Sequence, residues 1–189
     1  MEITILSTDR LVLRPPTAAD IDAIYAACQD PEIARWTTVP SPYSRTDAED
    51  FVRLVGEWWA DGSQTIWSIF HGDVLVGTIG LHQVTEHAAG GHAELGYWMT
   101  AESRGQGFIV EAARAVLDWA FAELKLARVQ WHAVVGNIAS ARTARALGFH
   151  FEGTRRQALT SVRGRDDGWG ASLLSTDDRT PPRWAVLEA

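Results

Sequence analysis

A short glycine-containing segment at residues 103–108 has the residue types of an anion-binding loop. It reads Ser-Arg-Gly-Gln-Gly-Phe and lies between an apolar run that ends at Met99 and an amphipathic stretch that begins near Gly105. Glycines let the backbone approach an anion closely, and the first N–H groups of a helix have no partners inside that helix. The segment therefore predicts a binding site for a pyrophosphate group.

The spacing within this segment argues against two common nucleotide sites. Arg104-x-x-Gly107 lacks the Gly-x-x-x-x-Gly-Lys order of a P-loop, and Val110 stands where a dinucleotide-binding loop has its third glycine. Nucleoside triphosphates and NAD are therefore disfavoured as ligands.

The composition of the chain predicts one domain with a buried core. The sequence has 189 residues, of which 46% are hydrophobic, and a net charge of −7, which disfavours binding to nucleic acid. No basic segment precedes an apolar stretch at the N-terminus, and no run of about eighteen apolar residues occurs. We therefore expect a cytoplasmic protein with neither a nucleic-acid nor a membrane partner.

Cysteine and histidine usage gives no support for a metal site. Cys28 is the single cysteine, which excludes an internal disulfide, and its apolar neighbours predict a small buried side chain. The six histidines form no helical His-x-x-x-His pair with a nearby carboxylate. The sequence therefore predicts no bound metal.

The periodicity of apolar residues predicts an α/β domain that positions the glycine segment between a strand and a helix. Strands are expected at 8–14, 65–70, 74–84, 92–99, 129–135, from 149 and around 173–174, and helices at about 18–29, 44–59, 105–124 and 137–147. The segment 30–44 reads as an irregular loop, and 176–189 as a flexible tail. An antiparallel meander then leads into one right-handed βαβ crossover.

Several motifs in this order resemble those of GNAT acyltransferases, in particular the RimJ/RimL-type branch. The resemblance covers residues 8–175. It is carried by Glu94-Leu95-Gly96-Tyr97-Trp98, by Arg104-Gly105-Gln106-Gly107-Phe108 with Glu111-Ala112, by Asn137-x-x-Ser140-x-Arg142, and by Leu147-Gly148-Phe149 with Glu152-Gly153.

The resemblance implies a single GNAT-type domain with a mixed sheet, a splayed pair of parallel strands, and acetyl-CoA or another acyl-CoA as co-substrate. The pyrophosphate would bind the N–H groups of residues 105–110, with Arg104 in support, and pantetheine would pair with the strand end in the gap. The implied CoA-binding residues are Trp98, Met99, Thr100, Arg104, Gly105, Gln106, Gly107, Phe108, Ile109, Val110, Asn137, Ser140 and Arg142.

Acyl transfer to an amine requires a base and a way to neutralise the departing thiolate. Glu94 is the candidate base, acting directly or through a water, although a strand carboxylate paired with an arginine is an equal alternative. Ser140 is the candidate acid, because the family's frequent tyrosine is replaced here by Ala144. Asn137 can cap its helix, contact pantetheine, or do both.

The aromatic residues of the first half offer walls for an acceptor pocket. We expect this role for Trp36 and Tyr43, and core packing for Trp67. The expected function is N-acylation of a primary amine by direct attack, with a protein or peptide N-terminus as the first acceptor class. A small-molecule antibiotic, a larger donor such as succinyl-CoA, and a catalytically silent acyl-CoA sensor remain as alternatives, and a homodimer is also left open.

Overall fold

The computed structural model describes residues 1–161 and 164–188, which are built around one eight-stranded sheet. Its strands are β1 (Leu6–Ser7), β2 (Val12–Arg14), β3 (Thr65–His71), β4 (Val74–Thr85), β5 (Gly91–Met99), β6 (Leu126–Val134), β7 (His150–Ser161) and β8 (Gly164–Leu174). The helices are α1 (Ile21–Ala27), α2 (Pro31–Trp36), α3 (Arg45–Asp61), α4 (Phe108–Ala122) and α5 (Ile138–Ala146), with short 3-10 turns at Ala18–Asp20, Ala101–Ser103 and Ala185–Leu187.

The sheet has the mixed topology that the sequence predicts. The strand order is β1-β2-β3-β4-β5-β6-β8-β7, and every neighbouring pair is antiparallel except β5 and β6. Helix α4 connects these two parallel strands, so the expected antiparallel meander does lead into one βαβ crossover. The expected α/β fold with a mixed sheet is therefore confirmed.

The parallel strands β5 and β6 separate halfway along their length. Their backbone pairing ends at Glu94 and Gln130, whereas β5 continues to Met99 and β6 to Val134. Past this point β6 stays paired with β8, and β5 stays paired with β4. The sheet thus opens into a wedge-shaped gap, as expected for the splayed pair.

Local sequence signals account for most helix ends. Ser44 and Asp47 form a reciprocal capping box at the start of α3, and Gly62 ends that helix with a φ of 77°. Gly148, with a φ of 92°, follows α5 as predicted. The helix expected from residue 105 begins later, because Gly105 and Gly107 adopt left-handed backbone angles and residues 104–107 form a loop before α4.

The main core lies where the sheet meets α3, α4 and α5. Trp59, Trp67 and Trp119 contact one another there, with ring centroids 5.0–6.0 Å apart, and the core position expected for Trp67 is confirmed. Cys28 is buried in a second apolar cluster together with Tyr43.

Two segments differ from the expectations. The 30–44 loop contains α2, because Asp30 caps the N–H of Glu32 and Pro31 supplies a helical φ at the first position. Residues 176–188 are not a free tail, since Trp184 is buried and donates its indole N–H to the Phe149 carbonyl oxygen at 3.0 Å. No helix in the described residues is long and apolar enough to cross a membrane.

Candidate active site

A large cavity runs through the gap between β5 and β6. It encloses about 1340 Å³ and is lined by both strands, the loop before α4, helix α5, and the segment from α2 to α3. Residues from both faces of the sheet contribute, because successive side chains of a strand point to opposite faces. The cavity therefore extends from the loop before α4 to side chains on both faces of the sheet.

The loop before α4 has the anion-binding geometry that its sequence predicts. Gly105 and Gly107 have φ angles of 75° and 79°, and the first hydrogen bond of the helix runs from the Glu111 N–H to the Gly107 carbonyl oxygen. The N–H groups of residues 108–110 therefore have no acceptor inside the helix. Phe108, Ile109 and Val110 line the cavity.

Arg10, in the turn between β1 and β2, braces this loop together with Glu111 of α4. The Arg10 guanidinium donates to the Glu111 carboxylate at 2.7 Å and to the Gln106 carbonyl oxygen at 3.2 Å. The Thr8 hydroxyl also donates to Glu111, at 2.5 Å. Burial alone would raise the pKa of Glu111, but the hydrogen bonds from Thr8 and Arg10 hold it below its usual value.

Arg104 lies at the cavity wall but is engaged by protein groups. Its Nη2 donates to Asp30 Oδ2 at 2.5 Å and to the Met99 carbonyl oxygen at 3.0 Å. Burial opposes ionisation of Asp30, but hydrogen bonds from the Glu32 N–H and from Arg104 lower its pKa overall. Arg104 thus carries its positive charge next to the strand end, with Asp30 as its carboxylate partner.

The end of β5 presents backbone groups to the gap. The Thr100 N–H donates to the Val76 carbonyl oxygen of β4 at 3.0 Å. Since backbone groups of successive strand residues alternate between the two edges, the N–H groups of Tyr97 and Met99 point away from β4, towards the gap. Trp98 and Met99 line the cavity.

Ser140 stands at the centre of a hydrogen-bond network on the α5 face. Its Oγ accepts the indole N–H of Trp131 at 3.0 Å and lies 2.9 Å from the hydroxyl oxygen of Tyr97. Its backbone N–H donates to Asn137 Oδ1 at 3.2 Å, so Asn137 caps α5 as expected. Burial raises the pKa of Tyr97 against the opposing effect of these hydrogen bonds, so the phenol is a proton donor at neutral pH.

Glu94 lies on the opposite face of the sheet and pairs with a histidine. Its Oε2 is 2.9 Å from Nδ1 of His132, on β6. His82, the β4 residue paired with Glu94, holds its own Nδ1 2.5 Å from Gln64 Oε1. Burial lowers the pKa of His82 although the charge of Glu94 opposes this shift, so the ring is neutral at pH 7.

The remaining predicted residues fall in different places. Trp36 and Arg142 line the cavity, and Tyr43 lines it while also packing against Cys28. Gln106 and Thr100 do not contribute to the lining: the Gln106 amide donates to the Glu102 carbonyl oxygen, and the Thr100 hydroxyl donates to Ser103.

Sequence reasoning missed Tyr97, Trp131 and His132. Tyr97 lies in the motif at residues 94–98, from which only Glu94 and Trp98 are predicted as site residues. Trp131 and His132 lie in the strand expected at 129–135, for which the sequence indicates no site role. Alternation within the strands places Trp131 and His132 on opposite faces, but the register between β5 and β6 that brings them to Ser140 and Glu94 is not visible in one sequence.

Comparison with known proteins settles the family. Residues 10–150 match the family described as Acetyltransferase (GNAT) domain. The chain belongs to the GNAT family. The Bacillus subtilis protein named uncharacterized N-acetyltransferase YoaA is 32% identical over 157 residues, covering 82% of this chain and 88% of YoaA. This GNAT chain is accordingly an N-acetyltransferase.

Solved structures of two acetyltransferases have the same fold as this chain. RimL, the ribosomal L7/L12 alpha-N-protein acetyltransferase in complex with coenzyme A, has a TM-score of 0.83 at 19% identity, with 92% of this chain and 100% of RimL covered. The microcin C7 self immunity acetyltransferase MccE, in complex with acetyl-CoA and AMP, has a TM-score of 0.80 at 19% identity, with 88% and 93% covered. At these identities the likeness shows the fold.

Proposed function

We propose that this GNAT enzyme transfers an acetyl group from acetyl-CoA to a primary amine, by direct attack within a ternary complex. The observation that carries the proposal is the gap between β5 and β6, where one cavity joins a phosphate-type loop, a strand end with free N–H groups, and polar residues on both faces. Each of these parts matches one requirement of acyl transfer from a CoA thioester.

The donor half of the site uses the loop and the strand end. The N–H groups of residues 105–110 and the charge of Arg104 bind the pyrophosphate, and Arg142 adds a second cation to the lining. Pantetheine pairs with residues 98–100 as an added strand, next to Asn137. This arrangement leaves the thioester in the gap, where the Met99 N–H stabilises the oxyanion that forms on attack.

Ser140 neutralises the departing CoA thiolate. A serine hydroxyl has one proton and two lone pairs, and Trp131 fills one of those lone pairs because its indole N–H only donates. When Tyr97 donates to the other, the Ser140 proton is left for the CoA sulfur. Ala144 stands at the position where the family often has a tyrosine, and here the Tyr97 hydroxyl supports the proton transfer through Ser140.

Glu94, which is hydrogen-bonded to His132, belongs to the opposite step, the removal of a proton from the acceptor ammonium. It lines the cavity on the face that Ser140 does not occupy, so an amine on this side approaches the thioester from the opposite direction to the leaving thiolate. The lining also contains the acidic residues Glu32, Asp47 and Asp50. Their negative charge favours a cationic acceptor.

The acceptor class proposed first is the N-terminal α-amine of a protein or peptide. The cavity between α2 and α3 is open and partly aromatic, with Trp36 and Tyr43 among its walls. RimL, whose fold is similar, acts on a ribosomal protein N-terminus by its name. A small-molecule amine is the alternative, since MccE has the same fold. We further propose that the enzyme works in the cytoplasm.

The test is the release of CoA thiol from acetyl-CoA and from succinyl-CoA in the presence of peptide, polyamine and aminoglycoside acceptors. Release from acetyl-CoA that depends on a peptide amine supports the proposal, and the same release with only an aminoglycoside shifts the acceptor class. A protein that binds acetyl-CoA but releases no CoA above the rate without acceptor contradicts the enzymatic proposal and favours an acyl-CoA sensor.

A further inference from the structure

The Glu94–His132 pair has the arrangement of a carboxylate that orients an imidazole. Glu94 Oε2 and His132 Nδ1 are 2.9 Å apart, and both side chains are largely shielded, with 28% and 13% of their surfaces exposed. The two residues come from β5 and β6, immediately next to the point where these strands separate. Their contact therefore lies at the entrance of the gap.

The hydrogen bond to Glu94 fixes the tautomer of the ring. An ionised carboxylate can only accept, so Nδ1 of His132 must carry the proton, and in a neutral ring Nε2 then has a free lone pair. In residues 1–161 and 164–188, no protein group is bonded to Nε2. His132 lines the cavity, and the Nε2 edge of its ring lies over Gly170, where an added methyl group would be 3.7 Å from Nε2.

Glycine residues leave room for the ring. Gly170 on β8 lies opposite His132, and a methyl group at that position would lie 3.4 Å from His132 Cδ2. Gly96, between Glu94 and the strand end, has the ring of His82 lying over it, where a methyl group would be 2.7 Å from His82 Nε2.

The charges around His132 come from four strands. Glu94 on β5 is in contact, and His82 on β4 lies beyond it. On the other side, Glu152 of β7 pairs with Arg128 of β6 at 2.8 Å, and Arg155 of β7 faces Gly170. Glu94 is therefore the acidic group that contacts the ring directly, while the Glu152 carboxylate pairs with Arg128 and interacts with the ring through its charge.

We propose that His132 is the group that takes the proton from the acceptor ammonium, and that Glu94 is its positioning residue. The inference rests on the proposed function. The ammonium gives one proton to Nε2 and becomes a neutral amine, which forms the C–N bond at the thioester carbon. As the C–S bond breaks, the nitrogen loses its second proton and the CoA sulfur gains one. The imidazolium returns its proton to water, so the reaction releases CoA thiol and one proton.

The kinetic test compares variants of the full chain with acetyl-CoA and the acceptor of the panel that the wild type uses fastest. His132→Ala should lower kcat about a hundredfold or more, and added imidazole should restore about tenfold of that loss by entering the vacated space. Glu94→Gln should lower kcat by about tenfold, because the amide still accepts from Nδ1 but no longer supports the imidazolium. The exposed His150→Gln is the matched control and should retain wild-type kcat.

The tautomer provides a test that needs no turnover. In the ¹⁵N spectrum of the histidine rings at neutral pH, the full chain should show His132 with a protonated Nδ1 and a bare Nε2, and Glu94→Gln should shift this pattern towards a mixture. A protonated Nε2 in the wild type would overturn the inference. So would imidazole rescue of His82→Ala but not of His132→Ala. A wild type with the expected tautomer but no turnover of any acceptor would instead contradict the proposed function.

Discussion

At the scale of single residues, the proposed departure of the CoA thiolate depends on the hydroxyl of Ser140. It lies 2.9 Å from the Tyr97 oxygen and 3.0 Å from the Trp131 indole nitrogen, so removing it leaves the buried Trp131 N–H without its partner, while the Tyr97 hydroxyl keeps the Ser140 carbonyl oxygen at 3.3 Å. Ser140→Ala should lower kcat by about tenfold and leave the KM for acetyl-CoA nearly unchanged. The loss is moderate because a thiol with a pKa of about 8.5 leaves without full protonation.

Two further variants calibrate this prediction. Tyr97→Phe keeps the ring and removes the hydroxyl, and it should lower kcat by less than Ser140→Ala does. Ser175→Ala, at an exposed position outside the cavity lining, should match the wild type. If Ser140→Ala mainly raised KM with kcat intact, the serine would serve in binding rather than in the departure of the thiolate.

Cys28 gives a second test at this scale. It is 5% exposed, and burial raises the pKa of its thiol to about 12 against a lowering contribution from Tyr43. Because the thiolate is the reactive form, the native protein at pH 8 should react with a disulfide reagent at least about a hundredfold more slowly than free cysteine. Denaturant should abolish the difference. Fast reaction in the native state would show that the second apolar cluster opens.

At the scale of elements, the loop before α4 should govern donor binding. Gly107→Ala places a side chain at a φ of 79° and costs about 1 kcal/mol of local strain, which displaces the N–H groups that begin the helix. The expected result is a dissociation constant for CoA that is about tenfold higher, measured by calorimetry.

A matched glycine separates binding from stability. Gly72 lies in the turn between β3 and β4 with a φ of 58° and with no atom within 4 Å of an added methyl group. Gly72→Ala should therefore lower the melting temperature by about as much as Gly107→Ala does, while leaving the affinity for CoA unchanged. Equal losses of CoA affinity in the two variants would rule out a specific role for the loop.

The bracing of α4 by the N-terminal strands predicts a pH dependence of stability. The pKa of Glu111 lies below its usual value because hydrogen bonds from Thr8 and Arg10 outweigh the effect of burial. A lowered carboxyl pKa stabilises the fold above the ordinary value of about 4.5, and this stabilisation is lost as pH falls through the folded value.

Denaturant unfolding of the wild type and of Glu111→Gln should show this dependence directly. The wild type should have the higher free energy of unfolding at pH 6, and the difference should shrink between about pH 5 and about pH 2. A difference that stays constant over this interval would mean that the ionised form of Glu111 is not what stabilises the loop.

Local signals explain which elements could be predicted from the sequence. The Ser44 and Asp47 capping box, the apolar face of α4 and Gly148 all act within a few residues of the chain, and the structure has a helix end or helix at each of them. Helix α2 was missed although Asp30-Pro31 is a capping signal, because the prolines that follow it resemble a loop. The late start of α4 also escaped prediction, since helix periodicity does not reveal left-handed glycines.

At the scale of the whole molecule, the site depends on contacts between residues far apart in the chain. Glu94 meets His132 across 38 residues and Tyr97 meets Ser140 across 43, and both contacts depend on where the β5–β6 pairing stops. The sequence predicts Glu94, Ser140 and the loop as separate parts. Their partners come from the register of the sheet, which one sequence does not reveal.

The same geometry predicts that donor and acceptor occupy the cavity together. Ser140 and Glu94 lie on opposite faces of the sheet, and the gap between them is where the thioester is proposed to sit. The single cysteine, Cys28, is buried in the second apolar cluster and is not among the residues that line the cavity. Direct attack therefore requires no acyl-enzyme intermediate. A homodimer stays a prediction that light scattering of the purified chain can test.

Initial velocities over a grid of acetyl-CoA and acceptor concentrations distinguish a ternary complex from a covalent intermediate. Double-reciprocal plots that intersect, together with an unmodified enzyme mass after incubation with acetyl-CoA alone, are the predicted result for a ternary complex. Parallel lines together with a protein that gains an acetyl group would show a covalent intermediate, and would contradict direct attack of the amine on the thioester.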